Sequence, residues 1–222
     1  MSTNQLHGKT FEREVITTCF GFSDNEADSF SSTATFDIPF GITTCQHQSG
    51  DPVSIKTAAV KAAAKSAIVC LSDARRVWSW NQPLVLVVGL YAQDDQEKVF
   101  HTVYEFHLKL THDERNSLYG ELTFEEVSHF HETLKTFGLG EHAKARVWAK
   151  CEKKRLAPRT GAIQLNPKID SKLQRRLQCS VALAKLVEAC NRTKRFTKDE
   201  TGNYRGLPLP YRVKSSAREF KK

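Results

Sequence analysis

The chain has 222 residues, 40% of them hydrophobic and 26% charged, a balance that excludes wholesale disorder and leaves room for a sizeable core. Its longest apolar run, "PLVLVVGLYA", is too short to span a bilayer, and the polar start "MSTNQLHGKTFEREV" has no apolar stretch of the kind a secretion signal needs, so no membrane partner and a cytoplasmic location are expected. The formal charge of +8 is unevenly divided, with 22 Lys and Arg against 7 Asp and Glu from Glu141 onward and 11 against 18 before it.

The first patterned element is "KTFEREVITTCFGF". Phe11, Val15 and Cys19 follow helical spacing, with Thr10 as a possible N-cap and Gly21 near the end. "TATFDIPF" and "PVSIKTA" read as two strands joined through the turn residues of "QSGDP", together an antiparallel hairpin. "AIVCL" has the composition of a buried strand, and "SDARRVWSW" begins a helix capped by Ser72 or Asp73. "PLVLVVGLYA" is the strongest strand signal, with "VFHTVYEFHLKL" as its hairpin partner. "TFEEVSHFHETLKTFG" predicts a helix and "AKARVWAKCEKKRL" a basic segment. A long amphipathic helix is predicted over "DSKLQRRLQCSVALAKLVEACNR", with an apolar stripe at Leu173, Leu177, Val181 and Ala184 and a cationic stripe at Lys172, Arg175, Arg176 and Lys185. The Pro-punctuated end, "GLPLPYRVKSSAREFKK", predicts extended chain. The fold class that follows is mixed α/β or α+β in a single domain over 1–222.

The six cysteines show no C-x-x-C pair, so neither a disulfide framework nor a zinc site is written in their spacing. His129, His131 and His142 lie near one another in sequence, but an H-x-H on a helix does not bring both rings to one face. Phosphate-loop and nucleophile-elbow motifs are absent.

Two strands that look destined for burial each carry a charge, Asp37 and Lys56. An isolated buried charge is costly, so each needs a partner, a metal ion or water. One reading is an ordinary cross-strand ion pair. The other is chemical: Asp37 and the main-chain carbonyl of Ile55 offer hard oxygen ligands suited to Mg²⁺, while Lys56 orients or deprotonates a water and offsets charge on a phosphate.

In the order "FEREV", "FDIPF", "SIK", "PLVLVVGLY", roughly residues 10 to 110 resemble the PD-(D/E)xK nuclease superfamily, which includes type II restriction endonucleases. The resemblance implies a restriction-endonuclease-like fold, a mixed central β-sheet flanked by helices, with Mg²⁺-dependent hydrolysis of DNA and frequent homodimerisation. It places Asp37 as the metal-binding aspartate, Lys56 as the lysine, and Glu12 as the helix acid, with Glu14 the other option. Ser54 stands where the pattern has Asp or Glu two residues before the lysine. The second metal carboxylate is therefore open, Glu12 first and Asp73 second.

The expected organisation is a catalytic core over 10–140 and a basic, mainly helical DNA-binding region over 141–222, with double-stranded DNA as partner. Arg159, Arg175, Arg176, Arg205, Arg212 and Lys214 are its candidate DNA-binding residues. The expected function is sequence-specific duplex cleavage of the restriction-modification kind. A non-catalytic nucleic-acid-binding protein and a repair nuclease or junction resolvase are the alternatives.

Overall fold

The computed structural model describes residues 3–30, 35–60, 67–93, 97–138, 140–169 and 175–214. The helices in chain order are α1 (Thr3–Glu14), which runs on into a π-helical stretch over Val15–Cys19, α2 (Asp24–Phe30), α3 (Ala74–Trp78), α4 (His112–Tyr119), α5 (Phe124–Thr136), α6 (His142–Leu156) and α7 (Leu183–Ala189). The longer strands are β1 (Val53–Ala59), β2 (Ile68–Asp73), β3 (Leu84–Gln93), β4 (Glu97–Leu108), β5 (Ile163–Ile169), β6 (Arg175–Ala182) and β7 (Thr193–Thr197). Three short ones follow, β8 (Asn203–Tyr204), β9 (Leu207–Pro208) and β10 (Tyr211–Lys214).

These elements form two compact units, one from Met1–Ala67, Pro83–Leu108 and Cys190–Lys222, the other from Ile68–Gln82 and Lys109–Ala189. The chain divides at these points and not at the charge step near residue 140.

The first unit holds a five-stranded mixed sheet in which β1, β3, β4 and β10 are neighbours in that order and β7 also pairs with β4. β1 runs parallel to β3, from Val53 opposite Val85 to Ala59 opposite Tyr91, and β3 is antiparallel to β4. Alternation along the strands puts Val53, Ile55, Val85, Val87 and Val103 on one face, where they join Phe11, Val15, Cys19 and Phe20 in a buried core. The rings of Phe11 and Phe100 stack with centroids 4.1 Å apart. Gly89 on β3 permits this approach, since a Cβ there would stand 2.5 Å from the Phe11 ring and 3.0 Å from that of Phe100.

The second unit is a three-stranded antiparallel sheet, β2-β6-β5, with β6 packed on α5 and β5 on α6. The Asp73 carboxylate accepts from the Arg75 N–H to cap α3, one of the two caps expected there. Thr123 and Glu126 close a reciprocal capping box at the start of α5.

Several expectations give way. The described part of "TATFDIPF", residues 35–40, forms no strand: 35–37 is bent, and a single antiparallel bridge joins Ile38 to Val53, while 33 and 34 lie outside the described residues. Pro39 has no N–H to extend the ladder and the chain turns at Phe40 and Gly41, so β1 finds its long partner in β3 instead. The first helix begins at Thr3, not at Thr10.

The long helix over 170–191 is also corrected. Its opening residues, with Asp170, Ser171, Lys172 and Leu173, lie outside the described residues; Arg175–Ala182 is strand β6 and only Leu183–Ala189 is helical. Leu177, Cys179 and Val181 are buried at a period of two, with Arg176 exposed and Gln178 half-buried between them. The described basic part is accordingly not mainly helical, because α6 and α7 share it with the six strands β5 to β10. The extended reading of the last segment agrees with β10, which pairs with β4.

Gly89→Val is expected to force Phe11 off the sheet and to lower stability by about 1–3 kcal/mol, measured by urea denaturation.

Candidate active site at the open edge of a strand

β1 is the end strand of its sheet, so the peptide groups on its outer side need partners other than a neighbouring ladder. Val53 is satisfied by the bend: its N–H donates to the Ile38 carbonyl at 3.0 Å, and its carbonyl accepts from the N–H groups of Asp37 (2.9 Å) and Ile38 (3.1 Å). Two residues on, Ile55 faces the same way. Its N–H donates to Oδ2 of Asp37, and its carbonyl accepts from Nζ of Lys56 at 2.9 Å. Lys56 Nζ also lies 3.2 Å from Oδ2 of Asp37, with side-chain exposures of 21% and 19%, so solvent screening of the pair is limited.

Strand alternation assigns Lys56 and Ser54 to the face opposite Val53 and Ile55, yet the lysine's chain is long enough to bring its ammonium back to the edge. Ser54 itself is buried and brings no charge.

Glu12 joins the pair electrostatically. Burial pushes its carboxyl up to about 7, the negative charge of Asp37 pushes in the same direction, and Lys56 and Lys9 act against both. Glu12 also lines a cleft of about 280 Å³ with Lys9, Arg13, Ile16 and residues of α2. The other two acids offered by the sequence are engaged elsewhere. Glu14 accepts from the Thr18 hydroxyl at 2.6 Å and the Tyr211 hydroxyl at 3.3 Å. Asp73 caps α3 and stands 3.3 Å from Nδ1 of His131, within the second unit.

The donor set suits a hard divalent cation. Both hydrogen bonds of Asp37 fall on Oδ2, which leaves Oδ1 without one among the described residues. No three or more His, Cys, Asp or Glu side chains are grouped as metal ligands among the described residues. Carboxylate and carbonyl oxygens are the donor types that Mg²⁺ takes, alongside several waters it retains. The Ile55 carbonyl already carries one hydrogen bond from Lys56 and has one lone pair left.

Of the six candidate DNA-binding residues, Arg159, Arg175 and Arg176 belong to the second unit and Arg205, Arg212 and Lys214 to the first. Arg159 forms a fork with Glu126 and reaches Glu121. Arg175 is buried, its Nη2 2.6 Å from Nδ1 of His142. Arg212 pairs with Glu97. Arg176 and Lys214 are exposed. Each paired arginine has met a partner that a count of charges does not reveal.

Arg205 has the strongest commitment. Its Nε donates to Oε2 of Glu105 at 2.7 Å and its Nη2 to Oε1 at 3.0 Å, while Tyr204 donates its hydroxyl to Oε2 at 2.8 Å and His107 Nε2 lies 2.6 Å from Oε1. The Glu105 side chain is 1% exposed. Burial acts to raise its pKa, but the hydrogen bonds from His107, Arg205 and Tyr204 and the arginine charge overcome it and hold the carboxyl well below the usual carboxylate range. The sequence reading missed this residue. The signal was present: Glu105, like Asp37 and Lys56, is a charge inside an apolar pattern, "VFHTVYEFHL".

No family model matches the chain, and no curated protein or solved structure matches it.

In folded Glu12 the pKa is raised above its usual 4.5 to about 7, so the native state keeps a proton that the unfolded chain releases, and stability falls as pH rises through that window. Glu12→Gln is expected to be more stable than the parent above pH 7 by on the order of 1–3 kcal/mol, with the gap closing toward pH 4.5 in denaturant titrations. Glu105 has the opposite sign: its stabilisation is present above the usual 4.5 and is lost as pH falls through the depressed folded value. Arg205→Met, which strands that carboxylate, is expected to cost about 3–5 kcal/mol at pH 7, a deficit that shrinks in acid.

Proposed function

We propose that the chain is a Mg²⁺-dependent endonuclease that hydrolyses phosphodiester bonds of double-stranded DNA, with Asp37, Glu12 and Lys56 as its working groups. The observation that carries the reading is the Asp37–Lys56 pair at a strand edge, where one aspartate oxygen has no hydrogen bond among the described residues, with the Glu12 carboxyl pushed up by burial and further by the charge of Asp37. A carboxyl that burial and a neighbouring charge keep protonated toward neutrality is characteristic of functional sites. The resemblance to the PD-(D/E)xK nucleases supports the same assignment through the order of the elements: a helix acid, an aspartate, a strand lysine and the apolar strand "PLVLVVGLY".

Asp37 through Oδ1 and Glu12 through its carboxylate would hold the ion, with the Ile55 carbonyl beside them. When bound, Mg²⁺ supplies a water of lowered pKa and a counter-charge for the phosphate. Lys56 is anchored at both the Ile55 carbonyl and Asp37, so its ammonium is held in place to orient the attacking water and to offset negative charge as the water oxygen bonds to phosphorus and the ester P–O bond breaks. Deprotonated Glu12 is the form that binds a cation, so Mg²⁺ affinity rises with pH through about 7. Ser54 leaves the usual second strand carboxylate missing, and Glu12 takes its part. Sequence-specific cleavage by a cytoplasmic homodimer, as in type II restriction, is the form of the reaction that the resemblance favours.

A second reading rests on a specific observation: Asp37 and Lys56 satisfy the Ile55 N–H and carbonyl, a role that edge completion alone explains. In that case the chain binds nucleic acid without cutting it.

Plasmid DNA incubated with the protein and Mg²⁺ is expected to yield discrete fragments, none in EDTA, and Lys56→Ala or Asp37→Asn is expected to lower the rate by at least about 10²-fold. Cleavage that survives Lys56→Ala would remove this site from the chemistry, and a smear would favour a less selective repair nuclease or resolvase. Mg²⁺ is also expected to raise the melting temperature at pH 8 for the parent but not for Asp37→Asn.

A further inference from the structure

The second unit carries a groove of about 410 Å³ between α6 and the edge strand β5, lined by Arg146, Lys150, Lys153, Asn166 and Lys168 with Ala149, Pro167 and Ile169. Four of its eight described lining residues are cations and none of the eight is acidic, which makes this wall of the groove electropositive. On α6 the spacing Arg146, Lys150, Lys153 is i, i+4, i+7, which sets the three on one stripe of the helix.

Two of these side chains are set in place by the protein. Lys153 Nζ donates to Oδ1 of Asn166 at 3.1 Å, and Asn166 in turn donates to the Ser180 hydroxyl at 2.6 Å. Arg146 Nη2 donates to the Ile169 carbonyl at 3.4 Å, which holds the guanidinium at the end of the groove. On β5 and β6, Lys168 stands opposite Arg176 in register, and both are exposed. The cationic surface therefore continues from the groove onto the open face of the sheet.

The length of the row selects the ligand. From Arg146 to Lys153 is about 10 Å along the helix axis at about 1.5 Å per residue. That exceeds what one phosphate ion can span in direct contact, and it matches the repeat of about 3.4 Å per nucleotide on one nucleic-acid strand over about three steps. We infer that the groove between α6 and β5 is a binding track for the phosphodiester backbone of nucleic acid, with Arg146, Lys150, Lys153 and Lys168 as phosphate contacts and Arg176 at its outer margin. Such contacts position a strand without reading its bases.

The inference goes beyond the proposed reaction and does not depend on it, because binding is measured in EDTA, where no metal-dependent cleavage occurs. The probe is a fluorescent 20-base-pair duplex titrated by anisotropy against the full chain over a range of salt. The parent is compared with Lys150→Glu/Lys168→Glu and with Lys198→Glu, which changes a lysine outside the groove.

At about 0.9 in the salt slope per phosphate contact, loss of two contacts is expected to weaken binding about thirtyfold near 0.15 M salt and to make the slope shallower by about two. Lys198→Glu is expected to stay within about twofold, and overlapping thermal melts would show that the double variant is folded. Unchanged affinity in the double variant overturns the track. So does a loss of affinity with no change in salt slope, since the contacts would then not be to phosphates, and so does a parent that shows no salt-dependent duplex binding. Each of these results leaves the Mg²⁺ and Lys56 tests of the active site standing by themselves.

Discussion

The peptide group of Ile55 must find hydrogen-bond partners on a side of β1 where no strand lies beside it. A buried N–H or carbonyl left unmade costs on the order of 1–3 kcal/mol, enough to select the local structure. The bend at 35–38 covers Val53 and stops, because Pro39 cannot extend a ladder. Asp37 and Lys56 then reach in to complete Ile55 with side-chain groups. Replacing a strand by two charged side chains closes the edge to other chains and concentrates charge at one spot. The position of Glu12 turns that local solution into a candidate site, since α1 brings a second carboxyl to the same neighbourhood.

Two acids of the first unit, Glu105 buried and Glu12 half-buried, show how differently one fold can treat a carboxylate. Glu105 has donors on both oxygens, including a forked guanidinium, and its ionised form is favoured despite burial. Glu12 has burial and a like charge acting on it, and its proton is retained near neutrality. Full satisfaction fits a structural role. Incomplete satisfaction fits a group that waits for a ligand.

Much of the secondary structure was legible because it rests on local chemistry. The apolar run of β3, the cap at Asp73 and the helix of α5 each follow from a few adjacent residues. Asp37, Lys56 and Glu12 stood out because charges interrupt apolar patterns. What failed was competition between periods: "RRLQCSVALAKL" supports spacing of two and of four, and pairing with β2 and β5 decides for strand over Arg175–Ala182. Parallel pairing of β1 with β3 was equally out of reach, since it joins segments separated by a strand and a helix of the other unit. The fates of Arg159, Arg205 and Arg212 were hidden for the same reason, their acids being distant in sequence. The stripe on α6 lay inside a segment read only as basic, and it is its pairing with β5 that gives it a shape.

The lock between Glu105 and Arg205 joins residues 100 positions apart, with the body of the second unit encoded between them. On a ribosome adding about 5–20 residues per second, Glu105 emerges roughly 5–20 s before its arginine exists. For most of that interval β4 also lacks β7, and for all of it β10, two of its three described partners. The described sheet of the first unit therefore lacks its β10 strand until synthesis has passed Tyr211, whereas residues 109–189 are made earlier. The candidate active site thus lies on a sheet that includes the last described strand to be made.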